Sequence, residues 1–125
     1  MATNVIVTEQ ARTQLLAAAA ILNGLPVSDY TGLRPGQTYY AYDPATRTYW
    51  AGASLVPSPS SLQAEVSTQD DGAYVLFEHP EPGSWIARDV GLAGVEGARC
   101  PVQVPASILQ LWGWSPGSCR PPSNP

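Results

Sequence analysis

Few side chains in this chain of 125 residues are of the types that carry acid–base chemistry. Asp70 and Asp71 are adjacent carboxylates, and Glu65 and Glu78 are near them in the sequence. Such a group is typical either of a calcium site or of the paired carboxylates of a hydrolase. The acidic pair is followed by glycine, however, and Asp and Gly favour turn conformations. No Asp-x-Asp-x-Asp pattern is present, so we interpret the pair as a turn.

His79 is the only histidine, and the chain has no lysine. A histidine acting as a general base needs a nucleophile or a substrate pocket beside it. A serine hydrolase cannot be inferred from a single histidine, so we predict that His79 is a surface residue at the end of a strand. One histidine and two cysteines are too few for a metal site. We therefore predict no catalytic residue, no metal and no cofactor.

Five aromatic residues lie within twelve positions of the sequence, in two short runs that resemble strands. Because adjacent strand residues point to opposite faces, these rings cannot all enter one core. We expect Tyr49 to be buried, and Tyr40, Tyr42 and Trp50 to lie on an outer face as a binding surface for a protein or a sugar. The alternative is ordinary cross-strand pairing that stabilises a hairpin. The five residues are Tyr39, Tyr40, Tyr42, Tyr49 and Trp50.

A second aromatic pair, Trp112 and Trp114, lies near the C-terminus. Trp114 is the fourth candidate for contact with a partner. The alternative is that both indoles cover the end of a small core.

The charge balance excludes some partners. Six arginines and ten acidic residues give a net charge of −4. Nucleic acids and anionic membranes are bound by clustered basic residues, which the sequence lacks. We therefore expect a protein or a small ligand as partner.

Cys100 and Cys119 are the only cysteines, and their spacing matches no zinc motif. They are either reduced core residues or a disulfide. The segment between them and after them is rich in proline, glycine and serine, which favours the disulfide because a free thiol there would be exposed. A structural disulfide is typical of an oxidising compartment, so we expect a secreted or envelope-associated protein.

An exported protein begins with a signal peptide, and Arg12 followed by Leu15–Leu22 is similar to one. Glu9 precedes this run, and eight apolar residues are too few for a membrane span. We interpret the run as a helix of the mature domain, with the native leader not present in this chain.

The strongest secondary-structure signal is a helix over residues 9–22, with Thr8 as N-cap and Gly24 at its end. Its apolar stripe is Ala11, Leu15, Ala18 and Leu22, while Arg12 is expected to face water.

Residues 37–43 and 47–55 are expected to form a hairpin around the turn Pro44-Ala45-Thr46. Further strands are expected over residues 62–66, 73–78 and 84–90, and a short helix over 105–113. This order predicts an α+β fold, in which one long N-terminal helix packs on a four- to five-stranded antiparallel meander and a short helix follows. Residues 1–120 would form a single domain, and 121–125 a disordered Pro-rich tail.

Several short motifs resemble those of small secreted or lipoprotein-like proteins of high-GC actinobacteria. They are Tyr49-Trp50-Ala51, Asp71 to Phe77, Trp85, Asp89-Val90-Gly91, Cys100, Val104-Pro105 and Trp112-Gly113. Such proteins are mostly uncharacterised, so the resemblance implies export and a disulfide but no activity.

Together these observations predict a small exported, non-catalytic binding domain that uses surface aromatic residues. The alternatives are a small hydrolase-type enzyme with a carboxylate site between helix and sheet, and a structural domain of the cell envelope.

Overall fold

A computed structural model describes residues 2–34, 38–68, 74–81, 83–89, 100, 102–119 and 121. These residues form helices packed on an antiparallel sheet, which confirms the α+β prediction. The strands are β1 (Thr3–Asn4), β2 (Tyr30–Leu33), β3 (Tyr39–Asp43), β4 (Thr48–Pro57), β5 (Tyr74–Pro80) and β6 (Ile86–Asp89). The helices are α1 (Glu9–Asn23), α2 (Leu62–Ser67) and α3 (Ala106–Trp112), with a 3₁₀ turn at Val27–Asp29.

β4 is the central and longest strand of the sheet. The strand order is β1-β3-β4-β5-β6, and β2 pairs separately with the C-terminal end of β4. The consecutive hairpins from β3 to β6 form the expected meander, whereas β1 and β2 are short strands that the sequence analysis did not predict. The predicted turn at residues 69–72 and the tail residues 122–125 lie outside the described residues.

α1 begins where the sequence predicts and ends one residue later, at Asn23. The Thr8 hydroxyl accepts a hydrogen bond from the Ala11 N–H at 3.1 Å, and Gly24 has the left-handed conformation of a C-cap. Leu15 is buried, but Leu22 is 39% exposed, so its assignment to the apolar stripe was wrong. Arg12 is half-buried and not fully solvated, because its Nη2 donates to the Leu33 carbonyl oxygen at 2.9 Å.

The expected strand at residues 62–66 is the helix α2. Ser61 is its N-cap, and its hydroxyl accepts from the Ala64 N–H at 3.1 Å. Ala64 is the residue that enters the core, while Leu62 and Val66 are exposed. The alternation of apolar and polar residues was therefore misleading, since its apolar members do not share a buried face.

The sheet is covered on both faces, which gives three layers. One face, here called the helix face, packs against α1. Its buried strand residues are Ala51, Ala53, Leu55, Val75 and Phe77, and they contact Leu15, Ala18 and Ala19 of the helix.

The other face, here called the tryptophan face, is covered by the C-terminal segment 102–119. Its buried strand residues are Ala41, Trp50, Tyr74 and Leu76, and they pack with Val104, Ile108, Leu109 and Trp114. The predicted disulfide is present: Cys100 and Cys119 are bonded, with a Cα–Cα distance of 5.8 Å. It joins the two ends of this segment, and Cys119 is itself part of the core.

The packing of α1 predicts a difference between two neighbouring alanines. Ala19 is fully buried against the helix face, whereas Ala17 is exposed on the same helix. We expect Ala19→Asp to lower the free energy of unfolding by roughly 3 kcal/mol or more, because it buries an unpaired charge. The matched control Ala17→Asp should cost less than about 1 kcal/mol. Urea unfolding measures both, and equal losses would show that the helix presents a different face to the sheet.

Candidate functional site

The structure places the four predicted partner-binding residues on two different faces of the sheet. Tyr40 and Tyr42 are half-buried and lie on the helix face. Trp50 is only 5% exposed and Trp114 only 4%, and both belong to the core of the tryptophan face. The expectation that Trp50 and Trp114 lie on the outside was therefore wrong. The four residues do not form one surface.

Trp50 is buried because the C-terminal segment covers its face of the sheet, and the length of the hairpin turn decides which residues it lies beside. Asp43 pairs with Thr48, so the turn has four residues, 44–47, and not three. The fourth residue, Arg47, has a left-handed φ of 53°. Shifting the register of a strand by one residue moves every side chain to the opposite face. A three-residue turn would have put Trp50 beside Tyr40, whereas the real register puts it opposite Ala41.

The Asp43 side chain stabilises this longer turn. Its carboxylate is buried and accepts hydrogen bonds from the Ala45 N–H at 3.1 Å and the Thr46 hydroxyl at 2.9 Å. The Thr48 hydroxyl donates to the Thr46 carbonyl oxygen at 3.1 Å. These side-chain bonds replace backbone pairing inside the turn, as Asp and Thr commonly do.

With this register, a row of rings crosses the helix face at the end nearest the turn. Tyr42 lies opposite Tyr49, and Tyr49 lies opposite His79. Trp85 comes just before β6 and continues the row beside His79. We call Tyr42, Tyr49, His79 and Trp85 the aromatic row; all four are half-buried.

The rings of the aromatic row are in direct contact. Successive centroids are 4.5 Å apart for Tyr42 and Tyr49, 5.5 Å for Tyr49 and His79, and 5.2 Å for His79 and Trp85. Tyr49 and His79 are stacked, with an angle of 28° between their planes. These separations are within the range at which aromatic pairs attract one another.

The row is anchored to the core below it by Trp85. The Trp85 ring contacts Phe77 edge-on at 6.4 Å and Tyr40 at 5.6 Å. Tyr40 and Trp85 pack against the α1 core, while Tyr42, Tyr49 and His79 are not among its residues. The aromatic row is thus the rim of a hydrophobic core, with rings that are rigidly held and still reach the solvent.

Hydrogen bonds join the row to the segment between β5 and β6. The Tyr42 hydroxyl donates to Glu81 Oε1 at 2.6 Å, and the Glu81 N–H donates to the Arg47 carbonyl oxygen at 2.9 Å. His79 Nε2 lies 2.6 Å from the Gly83 carbonyl oxygen. Because a carbonyl oxygen only accepts, this nitrogen carries a proton. The hairpin turn and this second segment therefore form one continuous end of the sheet.

These contacts change the acidity of two tyrosines. The hydrogen bond to Glu81, followed by burial, raises the pKa of Tyr42 above its ordinary value. Burial raises the pKa of Tyr40, and the neighbouring Tyr49 raises it further. Both phenols are therefore neutral hydrogen-bonding groups at physiological pH.

Four of the described carboxylates have structural partners, which gives no support to a paired-carboxylate enzyme. Asp43 holds the turn and Glu81 accepts from Tyr42. Asp29 accepts from the Ser61 hydroxyl, and Glu78 forms an ion pair with Arg88 at 2.7 Å. Asp70 and Asp71 lie outside the described residues. Within the described part of the chain, no three His, Cys, Asp or Glu side chains are grouped as a metal site would need.

The opposite face of the sheet carries a cluster of indoles, of which Trp114 is buried and Trp112 half-buried. The rings of Trp112 and Trp114 are 4.8 Å apart, and Tyr39 contacts both, at 5.6 Å and 5.1 Å. The Nε1 atoms of these two tryptophans and of Trp50 are buried and have no hydrogen-bond partner among the described residues. Each buried donor without an acceptor costs about 1–3 kcal/mol. Packing of the rings has to offset this cost, so these indoles are structural.

Sequence reasoning missed three members of the aromatic row as site residues. Tyr49 was assigned to the core, His79 to an ordinary surface position, and Trp85 to a strand without a role. A prediction of the four-residue turn would have placed Tyr49 opposite Tyr42. The positions of His79 and Trp85 depend on the pairing of β5 with β4 and β6, which no local sequence signal specifies.

Comparison with known proteins identifies no relative. No family model matches the chain, and no curated protein or solved structure matches it either. None of this bears on the resemblance to actinobacterial secreted proteins, which stays a prediction.

The burial of Trp50 leads to a stability prediction that compares two substitutions. Trp50→Ala should lower the free energy of unfolding by roughly 3 kcal/mol, the lower end of the range for Trp→Ala, because it also removes an unpaired donor. Trp50→Phe keeps an apolar ring and loses the same donor, so its cost should be less than half of that. Thermal or urea unfolding gives both values. A nearly neutral Trp50→Ala would place the indole outside the core.

The raised pKa of Tyr42 predicts a loss of stability at alkaline pH. Tyrosines of the unfolded chain ionise near pH 10, while the folded protein keeps the Tyr42 proton to higher pH. The folded state then binds more protons than the unfolded state, so stability is intact below about pH 10 and falls above it. Tyr42→Phe should lose stability less steeply than the wild type when urea unfolding is compared at about pH 8 and pH 11. Parallel losses would contradict the hydrogen bond to Glu81.

Proposed function

We propose that this chain is a small exported binding domain without catalytic apparatus, and that it binds its ligand on the aromatic row. The observation that carries the proposal is the row itself: four rings in contact, anchored by Trp85 to the core, and all partly open to solvent. Aromatic side chains offer a large, rigid contact area at low entropic cost, which is why they dominate recognition surfaces.

Preorganisation supports a binding role. Ordering a flexible side chain on binding costs about 0.5–1.5 kcal/mol. Here the rings are already fixed by their mutual contacts, by the bond from Tyr42 to Glu81, and by the bond from His79 to the Gly83 carbonyl oxygen. A ligand that contacts the row therefore meets a surface whose side chains have little freedom left to lose.

Export is supported by the disulfide between Cys100 and Cys119, since such bonds persist mainly in oxidising compartments. None of the helices in the described part of the chain could span a membrane. The partner is then a molecule of the cell surface or its surroundings.

The proposal predicts where ligands bind, whatever their class. Selection from a phage-displayed random peptide library and from a glycan array should yield ligands for the folded protein in at least one of the two. Tyr49→Ala should weaken their binding at least about ten-fold, because it opens a gap in the middle of the row. The control Leu62→Ala changes an exposed residue of α2 and should leave affinity unchanged.

Two outcomes would contradict the proposal. One is that neither selection yields a ligand. The other is that ligands are found but bind Tyr49→Ala as tightly as the wild type. Retention of the disulfide and of cooperative unfolding in Tyr49→Ala excludes loss of fold as the cause.

A further inference from the structure

The chemistry of the aromatic row identifies the class of ligand that fits it, an inference that rests on the proposed function. Its rings repeat at 4.5–5.5 Å along a line across the strands, close to the spacing of β-strands, roughly 4.8 Å. A pyranose ring is similar in width to a phenol ring. Rings this close are tilted against one another and do not form a flat platform, but they offer apolar contacts at an interval similar to the advance per ring of an extended sugar chain.

The row and its neighbours carry hydrogen-bond donors and acceptors that have no partner among the described residues. Within the described residues, the hydroxyls of Tyr40 and Tyr49 and the indole N–H of Trp85 have no hydrogen-bond partner. Glu81 uses Oε1 for Tyr42, and its Oε2 has no described partner. Tyrosine hydroxyls donate and accept, the indole donates and the carboxylate accepts. A ligand rich in hydroxyl groups satisfies all of them, since each hydroxyl is both donor and acceptor.

The charges near the row favour a neutral ligand. Glu81 and Arg47 are the ionised side chains whose charges act on Tyr42, and their charges are opposite. Recognition of a uronate, sulfate or phosphate group uses clustered cations, and the six arginines are dispersed along a chain whose net charge is −4.

The carboxylate beside the row favours a sugar chain over a protein partner. The fully buried centre of a protein interface is depleted of charged residues. Glu81 bonds to Tyr42 of the row and keeps one carboxylate oxygen without a described partner, which a sugar hydroxyl can satisfy.

We infer that the aromatic row binds a neutral polysaccharide chain lying across strands β3 to β6. The C–H groups of the sugar rings contact the solvent-open parts of Tyr42, Tyr49 and Trp85. Their hydroxyls bond to the free polar atoms of Tyr40, Tyr49, Trp85 and Glu81. Tyrosine and tryptophan side chains combine an apolar ring with a hydrogen-bonding group, and a sugar ring has the same combination.

The test measures binding of neutral and acidic oligosaccharides by the whole chain. The neutral probes are cello-, xylo-, manno- and chito-oligosaccharides of four to six units; the acidic comparators are oligogalacturonates and heparin fragments. Array binding followed by calorimetric titration should give at least one neutral ligand and no preference for the acidic ones. Longer chains should bind more tightly than disaccharides, because they cover more of the row.

Variants then locate the site. Tyr49→Ala should reduce affinity for the neutral ligand at least ten-fold, which corresponds to about 1.4 kcal/mol. Glu81→Ala changes an exposed residue and leaves the core intact, so it tests the hydrogen bonds even if Tyr49→Ala fails to fold; we expect a loss of at least three-fold. Leu62→Ala should bind like the wild type.

The inference is overturned if no neutral oligosaccharide binds, if only acidic ones bind, or if neither Tyr49→Ala nor Glu81→Ala affects binding. The same experiments test the proposed function separately from the sugar inference. If displayed peptides bind and Tyr49→Ala abolishes their binding while all glycans fail, the row is a protein-binding surface and only the sugar inference is lost. If neither class binds, both are lost.

Discussion

The four-residue turn between β3 and β4 decides on which side of the sheet each aromatic residue of the hairpin lies. The turn is held by the buried Asp43 carboxylate and by the left-handed conformation of Arg47. Since side chains alternate along a strand, one residue more or fewer would exchange the two faces of β4 relative to β3. Trp50 would then lie among the tyrosines of the helix face, and Tyr49 would lose its contact with Tyr42. Both the aromatic row and the indole cluster thus depend on this turn.

A sheet with large rings on both faces needs a cover on both. α1 covers the helix face through small residues such as Ala18 and Ala19, and its core ends at Tyr40 and Trp85. The segment joined by the Cys100–Cys119 bond covers the other face, where Gly52 leaves room for the rings above it: a Cβ at this position would collide with the Tyr74 hydroxyl and lie 3.2 Å from Trp114. The rings of the row remain half-buried at the rim of the α1 core, and this is the part of the helix face that we propose for ligand binding.

Much of the fold follows from local sequence signals. The N-cap and C-cap of α1, the strands of the meander and the disulfide were predicted because each depends on residues close in sequence or on the absence of other partners for the cysteines. The helical state of residues 62–67 was missed because the Ser61 N-cap outweighed an alternating pattern of only three apolar positions. The burial of Trp50 and Trp114 was missed because it requires the C-terminal segment to cover the second face, a long-range contact.

The candidate site was predicted in part. Tyr40 and Tyr42 were chosen on the composition of the hairpin, and they do lie at the row or beside it. Tyr49 was not predicted as a site residue because the turn is one residue longer than expected. His79 and Trp85 were not predicted because their positions depend on the pairing of β5 with its neighbours. Register thus limits such predictions more than composition does, because composition identifies the rings but only register brings them together.

The most direct measurement of this register is a set of proton–proton nuclear Overhauser effects in the folded protein. The ring centroids of Tyr42 and Tyr49 are 4.5 Å apart, so we expect strong effects between the ring protons of these two residues. Tyr49 should show further effects to His79, and Trp50 should show them to Leu76 and other residues of its own core. Effects between the ring of Tyr40 and the indole of Trp50, with none between Tyr42 and Tyr49, would establish the three-residue turn and contradict the aromatic row.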